Sequence, residues 1–282
     1  MIVTDKFVYV HQPKTGGSFV TTALFRLHGV SWNLLVHARS AIRKDLAFRR
    51  KYGTFIIHNN KHGGCNEIPA RHARDRILAT VRNPYDLLVS QYEFGWWKRR
   101  EFLEYYRAVP GFARDYPRFP DLAFAEFVEL TDRAFRPRAG GESGPGLMTR
   151  EFVEFYFKAP REILGRLDDQ YVAARGFAAD MHPVHFLRQE SLNRDLHAFL
   201  AGIGYDPADL GFIHGMGRVL PGGKGRGPDQ RWERYYTPEL KQRVRQREGL
   251  LFAIFPEFDA PAITEPAGRA PCIATGPETR GG

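Results

Sequence analysis

One stretch near the start constrains the chain more than any other: Phe7-Val8-Tyr9-Val10-His11-Gln12-Pro13-Lys14-Thr15-Gly16-Gly17-Ser18-Phe19. The apolar run from Phe7 to Val10 predicts a short buried strand, Pro13 breaks it, and two glycines permit a tight turn. An amphipathic helix is then expected from Ser18 to about His28. Strand, glycine-rich turn and helix together aim backbone N–H groups and the positive end of a helix dipole at one spot, which suits a phosphate or sulfate. Lys14 adds a movable positive charge, and Thr15 and Ser18 add hydroxyls. The order differs from the loop G-x-x-x-x-G-K-[ST], because Lys14 precedes Gly16 and Gly17. With no apolar strand ending in Asp to anchor magnesium, an anion cradle without a metal site is expected. A turn that holds no ligand is the plain alternative for this stretch alone.

A second stretch narrows the choice. Ile77-Leu78-Ala79-Thr80-Val81 reads as another buried strand, followed by Arg82-Asn83-Pro84-Tyr85-Asp86-Leu87-Leu88-Val89-Ser90-Gln91-Tyr92. Arg82 at a strand end can offer a planar fork to a phosphate, Pro84 suits a first helical turn, and Ser90 lies two turns further on. That helix is expected to run on toward residues 98–100.

Pro-Lys-Thr-Gly-Gly-Ser after a first strand, with Arg-Asn-Pro-x-Asp-x-x-x-Ser-x-Tyr after a later one, resembles the sulfotransferases that use 3′-phosphoadenosine 5′-phosphosulfate (PAPS). The resemblance extends over about residues 6–258 and is sharp only at these two motifs. It implies that Lys14, Thr15, Gly16, Gly17 and Ser18 hold the 5′-phosphosulfate, and that Arg82 and Ser90 hold the 3′-phosphate. Phe19 is assigned to the adenine side. In the family a strand ending in His or Glu between the two motifs supplies the base. Thr54-Phe55-Ile56-Ile57-His58 matches that description, so His58 is the expected base beside Lys14, with His62 and His11 as competitors. The glycine-rich basic loop Gly222-Gly223-Lys224-Gly225-Arg226-Gly227 adds Lys224 and Arg226 as candidates for the 3′-phosphate, against the alternative of a plain linker.

The resemblance also implies the fold class: α/β, a central parallel β-sheet flanked by helices, a P-loop-like three-layer sandwich. One domain is expected over 1–258. Within it, 93–180 forms a helical insertion on the acceptor side, rich in aromatic and arginine residues, with a Gly/Pro/Arg loop at 136–146. A basic helical piece is expected around 41–51. Further strand and helix are expected at Val184-His185-Phe186-Leu187-Arg188 and from Leu192 to near Gly202. A late helix is capped by Thr237, begins at Pro238 and runs toward Phe252. From 259 to 282 the Pro/Gly-rich composition predicts a mobile tail.

Composition bounds the partners. The chain has 282 residues, 43% hydrophobic and 26% charged, and Lys+Arg exceed Asp+Glu by 41 to 32. The resulting charge of +9 suits an anionic small molecule, and no nucleic-acid motif accompanies it. No apolar run approaches the roughly 18–20 residues of a membrane span. With only two cysteines, Cys65 and Cys272, and no removable leader in view, the expected location is cytoplasmic. The expected activity is transfer of a sulfuryl group from PAPS, without a metal, to a small-molecule or glycan hydroxyl, with a carbohydrate or other ring-bearing metabolite favoured. PAP, adenosine 3′,5′-bisphosphate, is the expected product. A metal-dependent P-loop phosphotransferase and a non-catalytic nucleotide-binding relative are the competing readings.

Overall fold

The computed structural model describes residues 1–31, 45–72, 75–135, 144–220 and 225–259. Lys224, residues 136–143 of the Gly/Pro/Arg loop and the tail from 260 lie outside that set.

Six strands form one sheet: β1 (Ile2–Thr4), β2 (Phe7–Val10), β3 (Leu46–Arg50), β4 (Gly53–Ile57), β5 (Arg76–Val81) and β6 (Val184–Arg188). Their order across the sheet is β3-β4-β1-β2-β5-β6. β2, β5 and β6 are parallel, with Val8 opposite Ile77 and Thr80 opposite Leu187. β1 pairs antiparallel with both β2 and β4, and β3 pairs antiparallel with β4. The sheet is therefore mixed, with a parallel half that carries both motif loops.

The helical piece expected around 41–51 is overturned at 46–50, which are strand, while 41–44 lie outside the described residues. Arg49 and Arg50 resemble the polar face of a helix, yet they close a hairpin in which Arg50 pairs with Gly53 across Lys51 and Tyr52. Gly53, at φ 90°, takes a conformation that glycine adopts at little cost. The Asp5 carboxylate stands where a Cβ on Gly53 would lie and accepts the Thr54 N–H at 2.8 Å. β1 was not expected either, since three residues carry too little pattern.

Successive side chains of a strand face opposite sides, and both faces of this sheet are covered. Phe7, Tyr9, Leu78 and Leu187 pack with Val20, Leu24, Leu196 and Phe199 on one side. Val10, Ile77, Ala79 and Val81 pack with Leu88, Phe127, Phe152 and Phe252 on the other. The first layer contains α1 (Gly17–Leu27) and the helix Leu192–Gly202. The second contains α2 (Pro84–Phe94) and the helices between β5 and β6. β2 and β5 are neighbours, and the helices that follow them go to opposite faces. A crevice opens at the strand ends where connections diverge in this way.

α2 is shorter than expected. Asn83 accepts the Tyr85 N–H at 3.0 Å, Pro84 starts the helix, and Gly95, left-handed at φ 66°, ends it by donating to Gln91 and Tyr92 carbonyls. The late helix is likewise two, Pro238–Arg247 and Gly249–Ile254. Glu248 at the break turns inward, and its buried carboxylate accepts the N–H groups of Met148 (3.3 Å) and Thr149 (2.6 Å). Thr237 caps the first of these helices by accepting the Leu240 N–H at 3.2 Å. Among the described residues no helix is long and apolar enough to cross a membrane.

Candidate functional site

The loop between β2 and α1 is held from beneath by one side chain. Thr15 is buried, and its hydroxyl donates to the Gln12 carbonyl at 2.9 Å and lies 2.7 Å from the Thr80 hydroxyl on β5. That hydroxyl is committed to the protein, so Thr15 can offer an anion only its backbone. Lys14 at φ 66° and Gly16 at φ 104° bring the chain through the left-handed region, a costly conformation for lysine. Gly16 precedes α1 with no side chain capping the helix, and Phe19 is the first residue of the turn whose N–H is taken, by the Gly16 carbonyl at 3.0 Å, which leaves the N–H groups ahead of it available to an anion. Ser18, in the first turn and half-buried, has no hydroxyl partner among the described residues.

Gly17 is required by packing. A Cβ there would fall 2.0 Å from the His11 ring, so the imidazole lies flat against the loop's backbone. On the other flank, a Cβ on Gly16 would come within 2.8 Å of Leu192. The turn after β6 therefore walls the loop, and Glu190 in that turn accepts the Asn83 N–H at 3.2 Å. That step carried little weight in the sequence because Glu-Ser-Leu is a common trio.

The second motif meets the first directly. Arg82 Nη1 donates to the Lys14 carbonyl at 3.0 Å, and Arg82 Nε donates to Asp86 at 2.6 Å. The other Asp86 oxygen accepts from Arg226 Nη2. Arg82 and Arg226 thus share the Asp86 carboxylate, Glu190 also acts on Arg82, Lys14 stands near enough to both arginines to be repelled, and the Arg226 Nη1 is buried without a hydrogen-bond partner. Burial lowers the Lys14 ammonium to about 8, with repulsion from Arg82 and Arg226 adding to the effect. A buried surplus of positive charge is stable when an anion compensates it.

The segment carrying Arg226 is fastened to α2. Gln230 and Tyr235 both donate to Glu93, at 2.6 Å each, Tyr236 donates to the Tyr85 carbonyl at 3.0 Å, and Trp232 stacks on Tyr85. Asp86, Ser90 and Phe94 recur every fourth residue of α2, so they share a face. Asp86 holds the two arginines, Ser90 is buried one turn along, and the Lys14 Nζ sits 3.7 Å from the centre of the Phe94 ring. Asp86 and Phe94 were missed as site residues in the sequence, although their spacing from Ser90 was visible.

Phe19 is packed in the core with only 7% of its surface exposed. It packs from α1 against the cluster on that face of the sheet, which leaves little ring for a purine.

The histidines divide. His58 Nδ1 accepts the Asn60 N–H at 3.2 Å and its Nε2 lies 3.8 Å from Asp45, and among the described residues it makes no contact with the 12–18 loop. His62 and His11 instead stand edge to face, ring centres 4.8 Å apart. His62 Nδ1 is 2.9 Å from the His11 carbonyl. A carbonyl only accepts, so Nδ1 carries the proton and Nε2 keeps its lone pair. Burial lowers His62 below the usual imidazole value, and lowers His11 further, to about 3. The His62 ring is partly covered yet keeps enough open surface to meet a substrate, whereas His11 is buried.

Compared with known proteins, the chain matches no family model, no curated protein and no solved structure.

Proposed function

We propose that this chain is a sulfotransferase on a P-loop-like scaffold, moving the sulfuryl group of PAPS to a hydroxyl acceptor. One observation carries the reading. Two motifs 68 residues apart meet through the Arg82–Lys14 hydrogen bond, and the late basic loop adds Arg226 to the same cluster. A donor with phosphate at each end of its ribose needs cations at two places, and the cluster extends from Lys14 at the loop to Arg226 beyond Asp86.

In this reading the N–H groups of the 14–18 loop and the Ser18 hydroxyl bind the phosphosulfate end. Arg82, Arg226 and Ser90 bind the 3′-phosphate, and Lys224 belongs to the same basic loop. His62 Nε2 takes the acceptor proton as the acceptor oxygen bonds to sulfur. Lys14 compensates the charge that develops on the 5′-phosphate oxygen as its bond to sulfur breaks, where a fixed donor contributes most. His62 is preferred to His58 as the base because its ring touches His11, and His11 touches Gly17. The two cysteines, one of them buried, suit a reducing cytoplasmic setting.

The test is transfer from sulfur-35-labelled PAPS to a panel of hydroxylated sugars and ring-bearing metabolites. Metal-independent labelling of an acceptor, lost in Lys14→Ala, supports the reading. Donor binding without labelling of any acceptor would leave a nucleotide-binding protein instead.

A further inference from the structure

Phe94 stands out among the large apolar side chains. It is 46% exposed, belongs to none of the apolar clusters, and stacks on no other ring among the described residues. Its ring partners among the described residues are two cations: the Lys14 Nζ 3.7 Å from the ring centre, and the Arg99 guanidinium at 5.6 Å. A phenylalanine kept for packing would turn inward, as Tyr92 and Trp97 do from the same segment. This one is held at the last residue of α2 by the left-handed Gly95 behind it, next to the loop lysine.

We infer that Phe94 is a positioning residue for Lys14, its ring face holding the ammonium charged and at the crevice while no anion is bound. An ammonium over an aromatic face is attracted by the ring's quadrupole, and the attraction grows as water is excluded. The groups around Lys14 otherwise work against its charge. Arg82 at the end of β5 and Arg226 on the late loop repel it, and Asp86 on α2 is occupied by both arginines. Arg99 reaches the same ring, at the longer distance of 5.6 Å. Among the described residues Phe94 is thus the one side-chain partner of the Lys14 head group that favours its protonated form, and an arriving phosphosulfate would draw the ammonium from the ring.

The contact itself does not depend on the reaction; only what Lys14 then does rests on the sulfotransferase reading. The experiment follows the Lys14 side chain by carbon-13 NMR across pH in the full-length protein, with Lys14→Arg for assignment. It compares Phe94→Leu and Phe94→Tyr. Both variants should fold, since Phe94 lies outside the core. Leucine removes the quadrupole and should lower the Lys14 pKa by about half to one unit, whereas tyrosine, which keeps the ring, should leave it in place. An unchanged Lys14 in Phe94→Leu, or an equal fall in Phe94→Tyr, overturns the inference. In parallel, affinity for adenosine 3′,5′-bisphosphate should begin to fall at lower pH in Phe94→Leu. If the unsubstituted protein binds no bisphosphate, the sulfotransferase reading fails, and the Lys14 titration still decides the role of Phe94.

Discussion

Thr15 and Thr80 place their hydroxyl oxygens 2.7 Å apart, tying the anion loop to the strand that carries Arg82. Thr80 is fully buried, and it also lies 3.4 Å from the Tyr9 hydroxyl. Thr80→Val keeps the shape and removes the partner of both. The buried tyrosine oxygen is then left unsatisfied, at a cost of about 1–3 kcal/mol. Urea unfolding should show that loss. Stability equal to the parent would mean that the two hydroxyls are not coupled to the fold.

Lys14 sets a pH limit on anion binding. Its ammonium titrates at about 8 in the free protein, lowered first by burial, and a bound anion must raise that value. Linkage then requires the anion's affinity to fall as pH rises through about 8 and to be steady below it. In Lys14→Arg the charge persists to far higher pH, so the alkaline fall should vanish. Bisphosphate titration across pH measures both, and an identical fall in Lys14→Arg would remove Lys14 from the site.

The base is decided by comparing two histidines. His62 is lowered from 6.5, chiefly by burial, so its neutral form prevails above that value and is lost in acid. Sulfuryl transfer should therefore decline only below pH 6.5 and drop by about a hundredfold or more in His62→Ala, the scale of a positioned general base. Bisphosphate affinity should change little. His58→Ala should retain transfer; loss there, with His62→Ala active, would return the role to His58.

The parts of this fold that read easily from sequence are those governed by local rules. Four of the six strands are apolar runs bounded by turn residues, and the Asn83-Pro84 and Thr237-Pro238 caps sit where helix-start chemistry puts them. Lys14 and Arg82, one from each motif, meet through the Lys14 carbonyl. What escaped depends on neighbours distant in the chain. β3 is a strand because β4 and its hairpin make it one, against the look of its arginines. Phe19 is a core residue because α1 presents it to the sheet, and the motif pattern says nothing of that direction. His62 gains its place from the His11 carbonyl, 51 residues away, which no spacing reveals. Asp86 pairs locally with Arg82, and its second partner, Arg226, comes from 140 residues later.

The proposed function requires the Lys14–Arg82–Arg226 cluster to receive a nucleotide with both a 3′- and a 5′-phosphate. Calorimetric titration with adenosine 3′,5′-bisphosphate, beside ATP with and without magnesium, tests it most directly. The account predicts bisphosphate binding that ignores magnesium and weakens by roughly ten- to a hundredfold in Arg82→Ala, the worth of a charge-assisted hydrogen bond. Preference for magnesium–ATP, or binding of neither nucleotide, would contradict it.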